Sequence, residues 1–439
     1  MERPLRILAC MFQGGGNIPL ILPILAELIA RNHRVRVMIG PGVRRSRLAV
    51  SPSLLQRVGE LGAELVRFEE PDLHPFDDPT YADRALIGSW TPASFRSVQG
   101  EAYTAVWASA WALNVSDELR RDKADLVVAD FVLLGAFAAA EAARIPSVAL
   151  MHTVYPWPVA KVPPYGPGYA PKAGPLGFCR DVLGRLIIGQ LWVGNALLPL
   201  NRARALSGLH TLRSPFQQYG AARVLVLVSP AFDWPARFPA NVRHVGTPED
   251  IAKAMGAGVG WPTEGSPLVL VSLSTLNQGQ SGLLRKILVA LADLPVRALV
   301  TLGPALEAGE FERPSNVRLV KFVSHDEVLP QAHALVTQCG IGTVTKSLRH
   351  GVPMVCLPLV GDQHDNAARV VARDAGIRLP ANADCGCIRS AIVRVLRDER
   401  FREGALALRT AMSSGETPAQ HAADQIEQAA CSPTGGRSG

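Results

Sequence analysis

Short apolar runs and amphipathic stretches alternate along the first half of the chain. Leu5–Cys10 (LRILAC) is a nearly continuous apolar run, the pattern of a parallel strand buried on both faces. A glycine loop, GGG at 14–16, follows it, and PLILPILAELIARN then places apolar residues at helical spacing. His33–Gly40 predicts a second strand and Ala63–Glu69 a third, while Asp78–Phe95 breaks the rhythm with turn formers and aromatics. A helical stretch over 101–121 leads into Ala124–Asp130, a strand that ends on a carboxylate. Gly135–Ile145 reads as a helix of small residues and Pro146–His152 as another strand. This is the alternation of an α/β, doubly wound sheet, which gathers ligands at the carboxyl ends of its strands.

Residues 154–220 depart from that pattern. Tyr155–Phe178 carries too many prolines and glycines for a helix or strand interior and reads as a long ordered loop or a mobile lid. The most apolar window, Val182–Leu200, contains Arg185, Gln190 and Asn195, so it predicts an amphipathic helix covering a pocket rather than a membrane span. Ala222–Gly246 returns to the sheet, and Thr247–Pro267 has the sparse apolar pattern of a linker. Alternation then restarts through Leu268–Thr275, Leu283–Leu294, Val296–Gly303, Asn316–Val323, Ala334–Gln338, Gly342–His350 and Val352–Val360. The expected division is 1–246, a linker at 247–266, and a second doubly wound domain over 267–430, with a disordered end at 431–439.

Composition narrows the class. At 439 residues, with 48% hydrophobic and 19% charged positions, the chain fills two large domains and is not globally disordered. The net charge of +7 is spread out, without an aromatic-interleaved basic stripe, so no nucleic-acid partner is expected; an anionic nucleotide substrate suits it. Seven scattered cysteines predict no disulfide framework and a reducing, cytoplasmic setting. The C-x-C pair Cys385 and Cys387 has no neighbouring ligand, so no metal is expected. The N-terminal PLRILAC reads as a strand, not as the core of a signal peptide.

The densest chemistry lies in His333–Val370, HALVTQCGIGTVTKSLRHGVPMVCLPLVGDQHDNAARV. A strand runs into a tight loop with Gly340 and Gly342. Thr343 is placed to cap a helix that ends at His350, with Gly351 at the C-cap. A strand, a glycine loop and a helix start make an anion site, because free N–H groups and the positive end of the helix dipole meet there. Gln338 and Thr343 add side-chain hydrogen bonds. Asp362 and Gln363 follow the next strand, and a carboxylate beside an amide matches the donors and acceptors of sugar hydroxyls.

This segment resembles the donor-binding signature of family 1 glycosyltransferases of the GT-B fold, two Rossmann-like domains facing a cleft. The likeness spans most of the chain and is nearest to bacterial enzymes that decorate macrolides and other natural products. It implies inverting transfer from a nucleotide-diphosphate sugar to a bulky hydrophobic small molecule, with no cofactor and the nucleotide sugar as co-substrate. A homodimer is the oligomeric option. Acceptor binding falls to the N-terminal domain and nucleotide-sugar binding to the C-terminal one. Ser274 and Thr275 match the family's diphosphate contacts, and Phe322, Val323 and Ser324 the segment that receives the base. The donor set so implied also includes Gln338, Gly340, Gly342, Thr343, Asp362 and Gln363.

The chain departs from the family at three functional positions. Gln338 stands where the signature begins with a histidine, and Lys346 where a glutamate holds the ribose hydroxyls; a lysine accepts no such bond. Asn17 stands where members carry a histidine base, oriented by an aspartate that aligns with Asp130. An amide is no general base near neutral pH. Three accounts stay open: Asp130 acts itself or through water; His152, His74 or Asp77 enters the pocket; or an acidic acceptor needs little help. Gly16, Asn17, Tyr155 and Trp157 are the expected acceptor contacts. Rival readings are a glycosyltransferase-like accessory or binding protein without transfer activity, and a protein that reuses the cleft for another natural-product transformation.

Overall fold

The computed structural model describes residues 3–13, 16–41, 50–70, 107–249, 265–273, 279–303, 306–413 and 415–431. Its first sheet contains β1 (Arg6–Phe12), β2 (Arg34–Gly40), β3 (Glu64–Val66), β4 (Leu126–Asp130), β5 (Ser147–Met151), β6 (Arg223–Val226) and β7 (Val242–His244). The second contains β8 (Leu268–Ser272), β9 (Arg297–Thr301), β10 (Val317–Val320), β11 (Ala334–Thr337), β12 (Met354–Cys356) and β13 (Gly376–Arg378). The orders are β3-β2-β1-β4-β5-β6-β7 and β10-β9-β8-β11-β12-β13, with every pairing parallel. In each sheet the chain starts in the middle, winds to one edge and restarts on the other side. The switch points, where such sheets bind ligands, are therefore β1/β4 and β8/β11.

Helices cover the sheets: α1 (Ile18–Ala30), α2 (Pro52–Glu60), α3 (Ala108–Arg121), α4 (Leu134–Ala142) and α5 (Pro175–Leu206) in the first half. The second half adds α6 (Ser281–Leu291), α7 (Ile341–Arg349), α8 (Gln363–Val371), α9 (Cys385–Arg397), α10 (Glu399–Met412) and α11 (Pro418–Cys431). The small residues of α4 serve a close helix crossing. A Cβ at Gly135 would sit 1.9 Å from the Ala108 carbonyl of α3, a contact that only glycine permits. Helix α5 is longer than the predicted window at both ends. It is long and apolar enough to span a bilayer, and 39% of its most apolar stretch is buried within the protein.

Among the described residues, several sets of contacts join the halves. Helix α11 crosses back onto α1, β5 and β6. There Arg31 binds Asp424 at 2.5 Å and Glu427 at 3.1 Å, and His33 Nε2 lies 2.8 Å from Glu427. Nearer the cleft, Arg369 of α8 donates to Asp233 from Nε at 3.0 Å and Nη2 at 2.7 Å, and both side chains are 3% exposed. Arg373 reaches the Ala231 and Asp233 carbonyls. The proline-rich loop is tied to the second domain through Gly166 N–H to Asp365 (2.7 Å) and Arg378 to the Gly168 carbonyl (2.7 Å). It is thus a packed strap across the two domains: Pro163 to Gly168 are all buried.

Candidate active site

The acceptor side is built where β1, β4 and β5 end side by side. Asp130, the last residue of β4, is fully buried. Its Oδ1 accepts from the Val132 N–H at 3.3 Å, and its Oδ2 accepts from Asn17 Nδ2 at 3.0 Å. Asn17 precedes α1 at the N-cap position but makes no capping bond with its side chain. Its amide also donates to the Phe12 carbonyl at 3.0 Å. The residue therefore locks the turn after β1 and orients the carboxylate. Only 1% of its surface is exposed.

His152 meets the same oxygen of Asp130 from the end of β5. It follows β5, and its Nδ1 lies 3.0 Å from Asp130 Oδ2. Nδ1 is buried while the side chain as a whole is 21% exposed, so the open edge of the ring is the Nε2 edge. Phe131 and Phe12 pack against the imidazole, with centroids 5.3 and 6.2 Å away. Of the residues offered in place of the missing base, His152 lies beside Asp130. His74 and Asp77 lie outside the described residues.

Gly16 has open space where a Cβ would be. Tyr155 and Trp157 are 8% and 7% exposed and sit in a cluster of rings. Trp157 packs 4.3 Å from Tyr219, and Tyr155 packs 5.3 Å from Phe238. They anchor the strap first; what remains of them borders a small recess with Pro164, Tyr165, Arg185 and Ile188.

The donor side lies at the end of β11. Helix α7 begins at Ile341 with Gly340 as its N-cap, so Thr343 lies in the first turn and does not cap it, as the sequence had suggested. Gly340 leaves the N-terminus open, and Gly342 has nothing near a would-be Cβ. Gln338, 7% exposed, follows β11, with its Nε2 close to Gly340. Cys339 holds φ 72°, and the Cys339 carbonyl accepts from Asn366. Gly351 at φ 63° closes the helix after its C-cap, His350.

Asp362 is the N-cap of α8, and Gln363 its first residue. Gln363 Oε1 accepts from the Leu359 and Val360 N–H groups, which shapes the turn between β12 and α8. Asp362 accepts from Asn366 at 2.8 Å, and burial pushes its carboxyl above the usual range. Burial also pushes Asp365 up to about 7. Phe322 is 69% exposed just beyond β10, while Val323 is buried beneath it and Ser324 starts a one-turn helix, His325–Val328. Ser274 and Thr275 lie outside the described residues.

Two features escape sequence reasoning. Lys346 is tied at 3.0 Å to Asp326 of the one-turn helix, a pairing between segments twenty residues apart with no shared motif. Asp365 reads as an ordinary helix residue, and only the packing of the strap reveals its burial. The link between His152 and Asp130 was within reach. Asp130 pairs with Leu150, and side chains alternate along a strand, so residue 152 returns to the face that Leu150 presents beside Asp130.

Comparison with known proteins agrees with this geometry. Residues 285–428 match the family described as erythromycin biosynthesis protein CIII-like, C-terminal domain. The chain is 28% identical over 425 residues to 4'-demethylrebeccamycin synthase of Lentzea aerocolonigenes, covering 92% of this chain and 94% of that one. It is 36% identical over 168 residues to demethyllactenocin mycarosyltransferase of Streptomyces fradiae, about a third of either length. Among solved structures, the glycosyltransferase of kitacinnamycin superposes with a TM-score of 0.72 over 98% of this chain and all of that one, at 22% identity. The glycosyltransferase VinC in complex with DTDP gives 0.67 over 97% and 99%, at 18% identity. The chain thus has the GT-B fold of these structures, and the relatives that it resembles are glycosyltransferases acting on natural products.

Proposed function

We propose that the chain transfers a sugar, with inversion, from a thymidine or uridine diphosphate sugar to a bulky apolar natural product, using His152 as its base. The observation that carries this reading is the contact of His152 Nδ1 with Asp130, which leaves the Nε2 edge open beside the donor domain. Asp130 fixes the tautomer with the proton on Nδ1, so the lone pair on Nε2 faces the acceptor. Nε2 takes the hydroxyl proton as the acceptor oxygen bonds to the anomeric carbon. The bond from that carbon to the diphosphate oxygen breaks with its electron pair, and the leaving group carries it away. The Ile341 and Gly342 N–H groups, left without intrahelical partners at the start of α7, receive the developing charge, with Gln338 beside them. In this reading Asp362 and Gln363 serve sugar hydroxyls, and the face of Phe322 serves the base. Ser274 and Thr275 remain diphosphate contacts on the strength of the resemblance. The scheme requires no cofactor beyond the nucleotide sugar.

The acceptor class follows from the relatives, whose printed names include a rebeccamycin synthase and a mycarosyltransferase, and from the apolar strap and α5 beside His152. The test is turnover of nucleotide sugars with a panel of polycyclic and macrolide aglycones. His152→Ala is expected to bind nucleotide normally and lose at least a hundredfold in kcat. Wild-type chain that binds aglycones but no nucleoside diphosphate defeats the reading.

A further inference from the structure

The covalent order of a nucleotide constrains where its ribose lies. The sugar ring joins the base to the diphosphate, so a ligand with its base on Phe322 and its phosphates at Gly340–Gly342 must lay the ribose between them. Along α7 the buried face is Ile341, Val344, Thr345, Ser347 and Leu348, which turns Gly342, Thr343 and Lys346 outward together. Lys346, one turn past the anion site, reaches back to the one-turn helix that follows the base segment. Its Nζ lies 3.0 Å from Asp326 Oδ2, and His350 Nε2 lies 3.6 Å from Oδ1. Asp326 thus bridges the two halves of the nucleotide site, four residues from Phe322 and in contact with the phosphate helix.

We propose that Asp326 is the residue that accepts the ribose 3′-hydroxyl of the donor nucleotide, held in place by Lys346. The assignment rests on the donor reading above. A ribose hydroxyl needs an acceptor, and Lys346 supplies only donors. A carboxylate has about four lone-pair sites, so contacts with Lys346 and His350 leave room for a hydroxyl. Its side chain is 44% exposed, whereas that of Lys346 is 21% exposed. Burial works against ionisation of Asp326, but Lys346 and His350 hold its carboxyl below the ordinary range, so it stays a pure acceptor at neutral pH. His325 beside it is pushed down to about 4 by burial and by Lys346, so it adds no charge there. The 3′-hydroxyl is common to ribose and deoxyribose, so this contact serves uridine and thymidine donors alike.

Calorimetric titration of the full chain with thymidine 5′-diphosphate and with 3′-deoxythymidine 5′-diphosphate tests the assignment. Wild type is expected to bind the 3′-hydroxylated ligand at least tenfold tighter, as a hydrogen bond to a charged group implies. Asp326→Ala is expected to bring that ratio close to one while still binding the deoxy ligand. Equal affinities in wild type overturn the assignment without any variant. So does a preference that survives Asp326→Ala. A wild-type chain that binds neither ligand overturns the donor reading itself, an outcome distinct from the other two.

Discussion

Replacing Asp130 by asparagine changes one atom and disturbs two things at once. Oδ1 serves the Val132 N–H, while Oδ2 faces the Asn17 amide and His152. An amide satisfies only one side: whichever way the new side chain turns, its NH2 meets a donor. One buried donor therefore loses its partner, at a cost of about 1–3 kcal/mol of stability. The chemical loss is larger. With charge centres about 4 Å apart and an effective dielectric constant of about 20, the carboxylate stabilises an imidazolium on His152 by roughly 4 kcal/mol. That corresponds to a fall in kcat of about a thousandfold, near 1.4 kcal/mol per decade. If the NH2 turns toward His152 it also reverses the tautomer, placing the proton on Nε2, where it cannot take another. The assay is release of nucleoside diphosphate from Asp130→Asn with an aliphatic-alcohol acceptor, alongside titration of the nucleotide. A kcat within threefold of wild type, with nucleotide affinity intact, refutes the reasoning. A parallel loss of nucleotide affinity would mean that the fold, and not the base, had been damaged.

Three further outcomes follow from the same geometry. Asp365 has its carboxyl raised to about 7 by burial, so the folded state holds a proton that the unfolded chain, near 3.9, has released. Its contribution favours folding at low pH and is lost as pH rises from about 4 to about 7. Asp365→Asn, which still accepts from Gly166, should therefore gain in melting temperature over wild type as pH is raised from 5 to 8, by up to about 3 kcal/mol in stability. A difference that does not change with pH refutes it. Asp233 is buried, which opposes ionisation, yet Arg369 and His244 hold its carboxyl far below the usual range. Asp233→Ala leaves Arg369 buried and unpaired, and should destabilise the chain by about 3–5 kcal/mol in urea unfolding, with loosening between the domains. In the double variant Asn17→His/His152→Asn, turnover should remain at least tenfold below wild type; full recovery would show that the position of the base is interchangeable.

Much of the fold was legible because buried parallel strands write themselves as apolar runs. Leu5–Cys10 and Ala124–Asp130 overlap β1 and β4, the run that opens at Leu268 opens β8, and the glycine loop after β11 announced its helix. Boundaries were less legible. The apolar run Val352–Val360 yields a strand of only Met354–Cys356, because the Gln363 side chain takes the Leu359 and Val360 N–H groups that a longer ladder would use. Thr343 looked like a cap because threonine caps helices well, yet an open anion site needs the bare Gly340 there. The strap was ambiguous for a different reason. Proline and glycine exclude helix and strand, but only tertiary partners such as Asp365 and Arg378 decide whether such a segment is pinned.

The site was harder to read, since family resemblance assigns roles position by position while the sheet assigns them by neighbourhood. Asp130 ends the middle strand of three, with β1 on one side and β5 on the other. A ring delivered from either flanking strand can reach the same carboxylate. On the proposal that His152 is the base, Asn17 on the β1 side supplies only the bond to Asp130, and the proton acceptor comes from the β5 side. Adjacent strands lie about 4.8 Å apart, so this exchange moves the proton acceptor by roughly two strand spacings. The move is toward the strap, whose Trp157 packs on Phe131 beside His152. An acceptor served by His152 must therefore present its hydroxyl above β5, against the apolar strap and α5, and not above the glycine turn after β1. Under that proposal the asparagine holds Asp130, whose carboxylate stands 3.0 Å from His152 Nδ1 on the other strand.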